Sequence, residues 1–348
     1  MEEQTYEMLK QLGIIEIEND VKYWLVRTAS GSFFKDFYNN NYISIGWDEI
    51  SNIDFIRNTE EKKFKEKIKE IYPSEERPGY IMGQIKRFVC EIKKGDIILI
   101  PSSNSSNIAF GKVTSDEAYI RDNVLKDKGC CQYKKALNVE WIKILSREEF
   151  DPYLYRLMTA HNAISNIDNY ADFINRILYN VYYRNGILHV TFNVRKNDNI
   201  TAMEMNDFIN NTLEYINEIN KQYEMNAKIS NINLKISVQS PGPIEFLGEV
   251  YDFATENIGG MILLSIVFLM VIGGECKFSS KKEKDEKSLE LRTEGVIGRI
   301  IEFVKESNKQ KNTEKELVLR EKNEKFKRSI EKLKIKATMQ KQDEKVEK

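Results

Sequence analysis

"KYWLVRTASGSFFKDFYNNNYISIGWDEI", Lys22 to Ile50, reads as strand, helical turn, strand, and it sets the fold of the first part of the chain. Trp24, Leu25 and Val26 form a short apolar run that the Ala29–Ser32 stretch breaks. Phe33, Phe34 and Phe37 recur at helical spacing, and Tyr42, Ile43 and Ile45 open a second strand that ends at Gly46-Trp47. Working outward, "TEEKKFKEKIKEIYP" (Thr59 to Pro73) is an amphipathic helix opened at Thr59 and stopped before Pro73. "GYIMGQIKRFVCEI" follows as a second helix. A turn at Lys94-Gly95-Asp96 then leads into a buried strand, a Ser/Asn loop, another strand, and the last strand "KKALNVEWIKIL".

This order, over residues 20–148, resembles the PUA-like superfamily, whose EVE and YTH members are compact barrels that grip a nucleobase. It is most similar to the small domain at the N-terminus of some Mrr-like restriction proteins. The segments that carry the resemblance are "YWLVRTASG", "YISIGW", "GQIKRFVCEIKKGD", "NIAFGKV" and "VEWI". It implies a base slotted between aromatic walls and held at its polar edges. Stacking contributes about 1–3 kcal/mol per base, and edge hydrogen bonds supply discrimination. The resemblance makes Trp24 and Trp47 wall candidates, with barrel core as their alternative role. Arg27 and Arg87 become phosphate or base-edge donors, and Ser102, Ser103, Asn104 and Asn107 the polar loop.

The charge pattern narrows the ligand. The chain has 348 residues and a net charge of −1, yet 22 basic and 15 acidic residues lie from Lys277 onward, against 31 basic and 39 acidic before it. An acidic body lacks the basic face of a general nucleic-acid binder and suits a single flipped base, a nucleotide or a small signalling nucleotide better than a long duplex. Four cysteines without ligand spacing and two histidines disfavour a metal site, so no cofactor is expected. The N-terminal stretch lacks a signal-peptide pattern, which with free cysteines places this part of the chain in a reducing cytoplasm.

Beyond a helical connector (149–184), "GILHVTFNVRKND", a helix with Thr201 and Glu204 at capping-box spacing, and "NLKISVQ" read as a βαβ unit over 185–243. Pro241 and Pro243 around Gly242 mark a rigid corner. Asn257 to Gly274 then runs for 18 residues without a charge, about 27 Å as a helix, close to the ~30 Å of a bilayer core. Ile258, Met261, Leu264, Phe268 and Ile272 are its membrane-facing candidates, and the lysines after Cys276 place the following tail in the cytoplasm. A re-entrant or oligomer-embedded helix and a buried core helix are its other readings. The charged tail (288–340) carries Leu319, Asn323, Phe326, Ile330, Leu333 and Ala337 as a short heptad seam, which suggests a homo-oligomer.

Catalytic signatures are sparse. Glu275-Cys276-Lys277 imitates the last part of an Mrr-type magnesium site but abuts the apolar run, and Arg156 and His161 match the loose spacing of HEPN ribonucleases. No phosphate-binding glycine loop is present. The expectation is therefore an α+β protein: an N-terminal PUA-like β-barrel with helices, a βαβ unit, one apolar transmembrane helix and a charged helical tail. Its expected role is a bacterial sensor of a base or nucleotide at the cell membrane, with the N-terminal domain cytoplasmic, acting through self-association. The order of segments in the C-terminal part resembles that of uncharacterised bacterial proteins, several of them phage-defence candidates. The rivals are a soluble DNA-reading subunit of a restriction-like system and a HEPN-type ribonuclease.

Overall fold

The computed structural model describes Leu9 and residues 14–122, 129–149, 152–224, 227–236, 242–249, 251–252, 257–258, 260–272 and 314–336. The chain is mixed α+β and divides into two compact units. One is Asp20–Leu178; the other joins Met1–Asn19 to Tyr179–Thr338. The 149–184 stretch is thus no separate connector. Its first part completes the N-terminal unit, and Tyr179 begins the other.

Strand β1 (Ile15–Glu16) belongs to the C-terminal unit. The N-terminal unit then runs β2 (Tyr23–Val26), α1 (Phe34–Asn39), β3 (Tyr42–Ile45), α2 (Ile53–Asn58), α3 (Glu61–Ile71) and α4 (Pro78–Lys86), which passes into a wide π turn, Arg87–Glu91. It continues with β4 (Ile97–Pro101), β5 (Asn107–Val113), β6 (Tyr119–Ile120), β7 (Lys135–Ser146), β8 (Ile164–Asn166) and α5 (Ala171–Leu178). The strands form one curled sheet, half of a barrel, in the order β3-β7-β5-β4-β2-β8, with β6 beside β7.

Strand β7 makes the curl. Its Lys135–Asn138 end pairs with β3 and its Val139–Ser146 end with β5, with a register shift at Phe110/Gly111. Gly111 is required at that bend, because a Cβ there would meet the Val139 and Trp141 side chains at 2.4 and 2.6 Å. The helices pack Phe37, Phe64, Ile68, Ile85 and Phe88 onto the sheet. Strands β2 and β4 are tied at their foot by Asp96, a buried carboxylate that accepts from the Trp24 indole at 2.9 Å and from the Lys22 and Lys93 amides at 3.0 Å. Burial pushes the Asp96 pKa up, opposed by these hydrogen bonds.

The C-terminal unit comprises β9 (Val181–Arg184), β10 (Ile187–Val194), α6 (Ala202–Gln222), β11 (Asn233–Ile236), β12 (Gly242–Glu249), β13 (Tyr251–Asp252), β14 (Asn257–Ile258), α7 (Gly260–Ile272), α8 (Glu314–Lys332) and β15 (Ile335–Lys336). Its main sheet is ordered β1-β9-β10-β12-β11, with β15 pairing β10. The β10–α6–β11 crossover is the βαβ unit read from the sequence. Strand β12 is inserted antiparallel between its two parallel strands. The corner expected at Gly242-Pro243 is instead the start of β12, where a missing amide donor costs least; Pro241 lies outside the described residues. Leu188, Val190, Phe192 and Val194 alternate into a core shared with α6, α7 and α8. On the opposite face the His189 Nδ1 and Glu245 Oε1 lie 2.7 Å apart, with the Tyr182 ring stacked on the imidazole at 4.4 Å.

The apolar helix departs from the transmembrane expectation. Its described span, Gly260–Ile272, is 13 residues, about 20 Å, against a bilayer core of ~30 Å. No helix among the described residues is long and apolar enough to cross a membrane. Every residue from Gly260 to Phe268 is buried, so Met261, Leu264 and Phe268 face protein, with Phe268 edge-on to Phe192 at 4.8 Å. A helix apolar on all sides must be enclosed on all sides. Here β10, β12, α6 and the Ile229–Asn231 turn contribute to that enclosure. Gly260 serves this packing, since a Cβ would lie 2.9 Å from the Ile229 Cα and the Lys228 carbonyl. Ile258 falls in β14 and Ile272 ends α7; Gly273, Gly274 and the lysines through Lys287 lie outside the described residues.

The heptad seam is likewise spent inside the chain. Phe326, Ile330 and Leu333 are buried in the core of the unit, with Phe326 against Phe208 and Tyr215 of α6. Ala337 and Glu275–Lys277 lie outside the described residues.

Helix α6 starts with the capping box expected from its sequence: the Thr201 hydroxyl accepts from the Glu204 amide, and the Glu204 carboxylate accepts from the Thr201 amide. Lys196 adds an ion pair at 2.7 Å. Lys196 first, then the Thr201 bonds, hold the Glu204 carboxyl down at about 2. A carboxylate held low in the folded chain stabilises it above the ordinary carboxylate range, and the contribution fades as pH falls towards the lowered value. Glu204→Gln is therefore expected to lower the urea midpoint at pH 7 and to matter progressively less down to pH 3. A gap independent of pH would remove the ionised cap as its cause.

Candidate functional site

The residue after Gly46 sets the site. Strand β3 is held by β7 up to Ile45, and the chain must then turn sharply over the sheet rim. Trp47 makes that turn with φ +59°, a left-handed backbone that bulky side chains rarely adopt. Two donors hold it: the Ile50 amide at 3.1 Å and the Lys135 ammonium at 2.9 Å both bond the Trp47 carbonyl. The Lys135 side chain is fully buried and also lies 3.4 Å from the Asp48 carboxylate. Burial pulls its pKa below the ordinary lysine value, while Asp48 works the other way.

Tyr133 lies beside this turn. Its ring covers Gly46 so closely that a Cβ there would sit 3.1 Å from it, and it meets the Phe33 ring edge-on at 5.3 Å. The backbone bearing Tyr133 is pinned at several points. Asp36 accepts from the Cys131 amide at 2.7 Å and from the Tyr42 hydroxyl. Arg121 lies over the Tyr42 ring at 4.1 Å and donates to the Cys131 and Tyr133 carbonyls, and Ser44 donates to the Lys135 carbonyl at 2.5 Å. Phe33, Trp47 and Tyr133 are only partly buried, so three aromatic side chains with fixed backbones rim one end of the sheet. The Cys131 thiol beneath them is buried, which pushes it up to about 12; it stays protonated and is no nucleophile.

The turn that carries Phe33 packs against the polar loop. Ala29, Ser30 and Gly31 all have positive φ, and Gly31 packs so tightly that a Cβ would fall 2.1 Å from the Ser103 nitrogen. Thr28 donates to the Pro101 carbonyl at 2.5 Å. Asn104 and Ser105 are left-handed in their turn, at φ +53° and +52°. Two strained loops thus meet at one rim, a concentration of backbone cost that is typical of functional sites.

The candidates named from the sequence separate accordingly. Trp24 is a core residue, 1% exposed, with its indole committed to Asp96; it is no ligand wall. Arg27 is spent on scaffolding, because its guanidinium bonds the Met158 and Ala160 carbonyls. Arg87 opens the π turn, half-buried, against α2 and α4. Ser102 uses its hydroxyl on the Asn107 amide and on Ser106, while Asn104 and Asn107 are exposed on the loop. Trp47 alone of the proposed walls stands at the rim. Arg156 and His161 are both exposed, and the segment joining them supplies the carbonyls that hold Arg27. Sequence reasoning missed Tyr133 and Lys135 and read Gly46 only as a strand end. The legible signal was a lysine at an inward position of a strand that otherwise alternates, two residues after a tyrosine. Among the described residues no group of three or more His, Cys, Asp or Glu side chains could hold a metal.

Residues 22–168, nearly the whole N-terminal unit, match a family model described as "Domain of unknown function (DUF8426)". No curated protein matches the chain significantly.

Proposed function

We propose that the Asp20–Leu178 unit recognises a single nucleobase, free or within a nucleotide, by stacking it at the Phe33–Trp47–Tyr133 rim. One observation carries the reading: a tryptophan is kept partly exposed in a strained backbone conformation by a fully buried lysine. A fold bears such a cost of order 1–3 kcal/mol where the side chain's position matters. Flat aromatic faces suit a base, and polar groups at the rim, Asp48 and the Ser102–Asn107 loop, offer edge hydrogen bonds. The PUA-like resemblance of the sequence is a second support for this reading. The apolar helix and the heptad seam are spent in the core of the other unit, so the proposal contains no membrane tether.

The test is a titration of the full chain with nucleoside monophosphates and their base-methylated forms, followed by tryptophan fluorescence and ligand-observed NMR. Saturable binding is expected, weakened about tenfold or more by Tyr133→Ala, as loss of one stacking face implies. His161→Ala is expected to bind as the parent does. No binding by any of these ligands at millimolar concentration would overturn the proposal.

A further inference from the structure

We infer that a second surface of the N-terminal unit carries the strand that flanks the recognised base, so that the ligand is a single-stranded nucleic acid rather than a free nucleotide. This rests on the base-reading proposal but on different residues. Beyond the Ser102–Asn107 loop the chain presents aromatic rings interleaved with arginine. Arg147 donates from its backbone to the Ser106 carbonyl at 2.8 Å and reaches the Asn104 carbonyl with its guanidinium at 3.4 Å. The same guanidinium lies 5.5 Å over the Tyr155 ring, and the Tyr155 hydroxyl returns a bond to the Arg147 carbonyl.

Two residues away, Tyr153 is 49% exposed, the most exposed aromatic residue of the described chain. It is stacked on Phe173 at 4.4 Å and 20°, with Tyr170 at 5.4 Å. Arg176 packs under Phe173 at 4.5 Å and fixes that ring. An isolated exposed tyrosine would be unremarkable. A pre-stacked tyrosine beside an exposed arginine, joined through one loop to an aromatic rim, is the arrangement that successive bases and phosphates fit. Arg147 and Arg156 are exposed for phosphates; Glu148 and Glu149 follow Arg147 in the chain, and Glu149 is bonded to the Ser146 amide and hydroxyl. The near-neutral charge of the chain favours contacts of this local, stacking kind over a long duplex held by a basic face.

The experiment compares a nucleoside monophosphate with a mixed-sequence single strand of about eight nucleotides, as RNA and as DNA, by competition and fluorescence anisotropy on the full chain. The strand is expected to bind at least tenfold tighter than the monophosphate. Tyr153→Ala should remove most of that gain and Tyr153→Phe should keep it, while monophosphate binding stays as in the parent. Arg147→Gln should weaken strand binding and flatten its salt dependence by about one charge. Unchanged strand affinity in Tyr153→Ala, with Trp47→Ala still deficient, would overturn the flanking surface and leave the base reader standing. Loss of all binding, monophosphate included, in the parent chain would overturn both. Dissolution of a dimer by Tyr153→Ala in sedimentation would also overturn it, by assigning the patch to protein contact.

Discussion

Trp47→Ala and Trp47→Gly are expected to fail equally as ligand readers yet to differ in stability, with the glycine variant the more stable by about 1 kcal/mol. Both remove the ring, and with it a stacking contribution of about 1–3 kcal/mol, or roughly 5- to 150-fold in affinity. They differ in backbone. Alanine keeps the cost of a Cβ at φ +59°, of order 1–2 kcal/mol, and glycine relieves it. Its greater freedom when unfolded returns part of that gain. The comparison therefore isolates the strain from the lost side chain, which a single alanine substitution cannot do. Urea unfolding of the two variants, paired with nucleotide titrations, reads both quantities. If the alanine variant were the more stable, the backbone would not be strained and the buried Lys135 would have lost its purpose. If either variant bound as the parent does, Trp47 would be a surface residue only.

Phe268→Ala is expected to lower the unfolding free energy by about 3–5 kcal/mol in detergent-free buffer, the range for emptying a fully enclosed aromatic site. Phe268 is 0% exposed and lies edge-on to Phe192, which in turn contacts Phe208, Phe246 and Phe326. Removing one ring opens a space beside Phe192, in the core between the sheet, α6 and α7. The rings of Phe192 and Phe268 touch, so their double variant should be less destabilised than the sum of the singles. A helix facing lipid would behave otherwise: the parent chain would need detergent, and Phe268→Ala would change unfolding in aqueous buffer by less than about 1 kcal/mol.

Much of the N-terminal fold was legible because its strands are marked at both ends. Gly46, Gly95 and Pro101 close or open apolar runs, and strands begin or end at each. Helix α2 escaped notice because it buries Ile56 alone, too little for a periodicity to register, and strand β8 because it is three residues long. The site was legible only in part. Trp24 and Trp47 look alike in sequence; what distinguishes them is Asp96, buried 72 residues away and ready to accept an indole proton, and Lys135, which fixes the other tryptophan from a strand 88 residues downstream. The apolar segment shows the same lack of distant information. Its composition demands complete enclosure, and composition does not say by what. The enclosing partners, Phe192, Phe208 and Phe246, are spread through a unit whose sequence reads as an ordinary βαβ crossover with amphipathic faces. Pro243 misled for a local reason, since a proline is harmless at the start of a strand and disruptive in its middle.

The order in which the C-terminal unit is synthesised follows from where α7 sits. Strands β9 to β12 and helix α6 leave the ribosome before it, so a docking surface already waits for the nascent hydrophobic segment. Helix α8, which adds Phe326 to the same core against Phe192 and Phe208, begins only at Glu314, dozens of residues after Ile272. In that interval the growing polypeptide displays a stretch greasy enough to attract chaperones or the translocation machinery. Premature termination inside it would leave a half-closed, sticky intermediate rather than a shorter working protein.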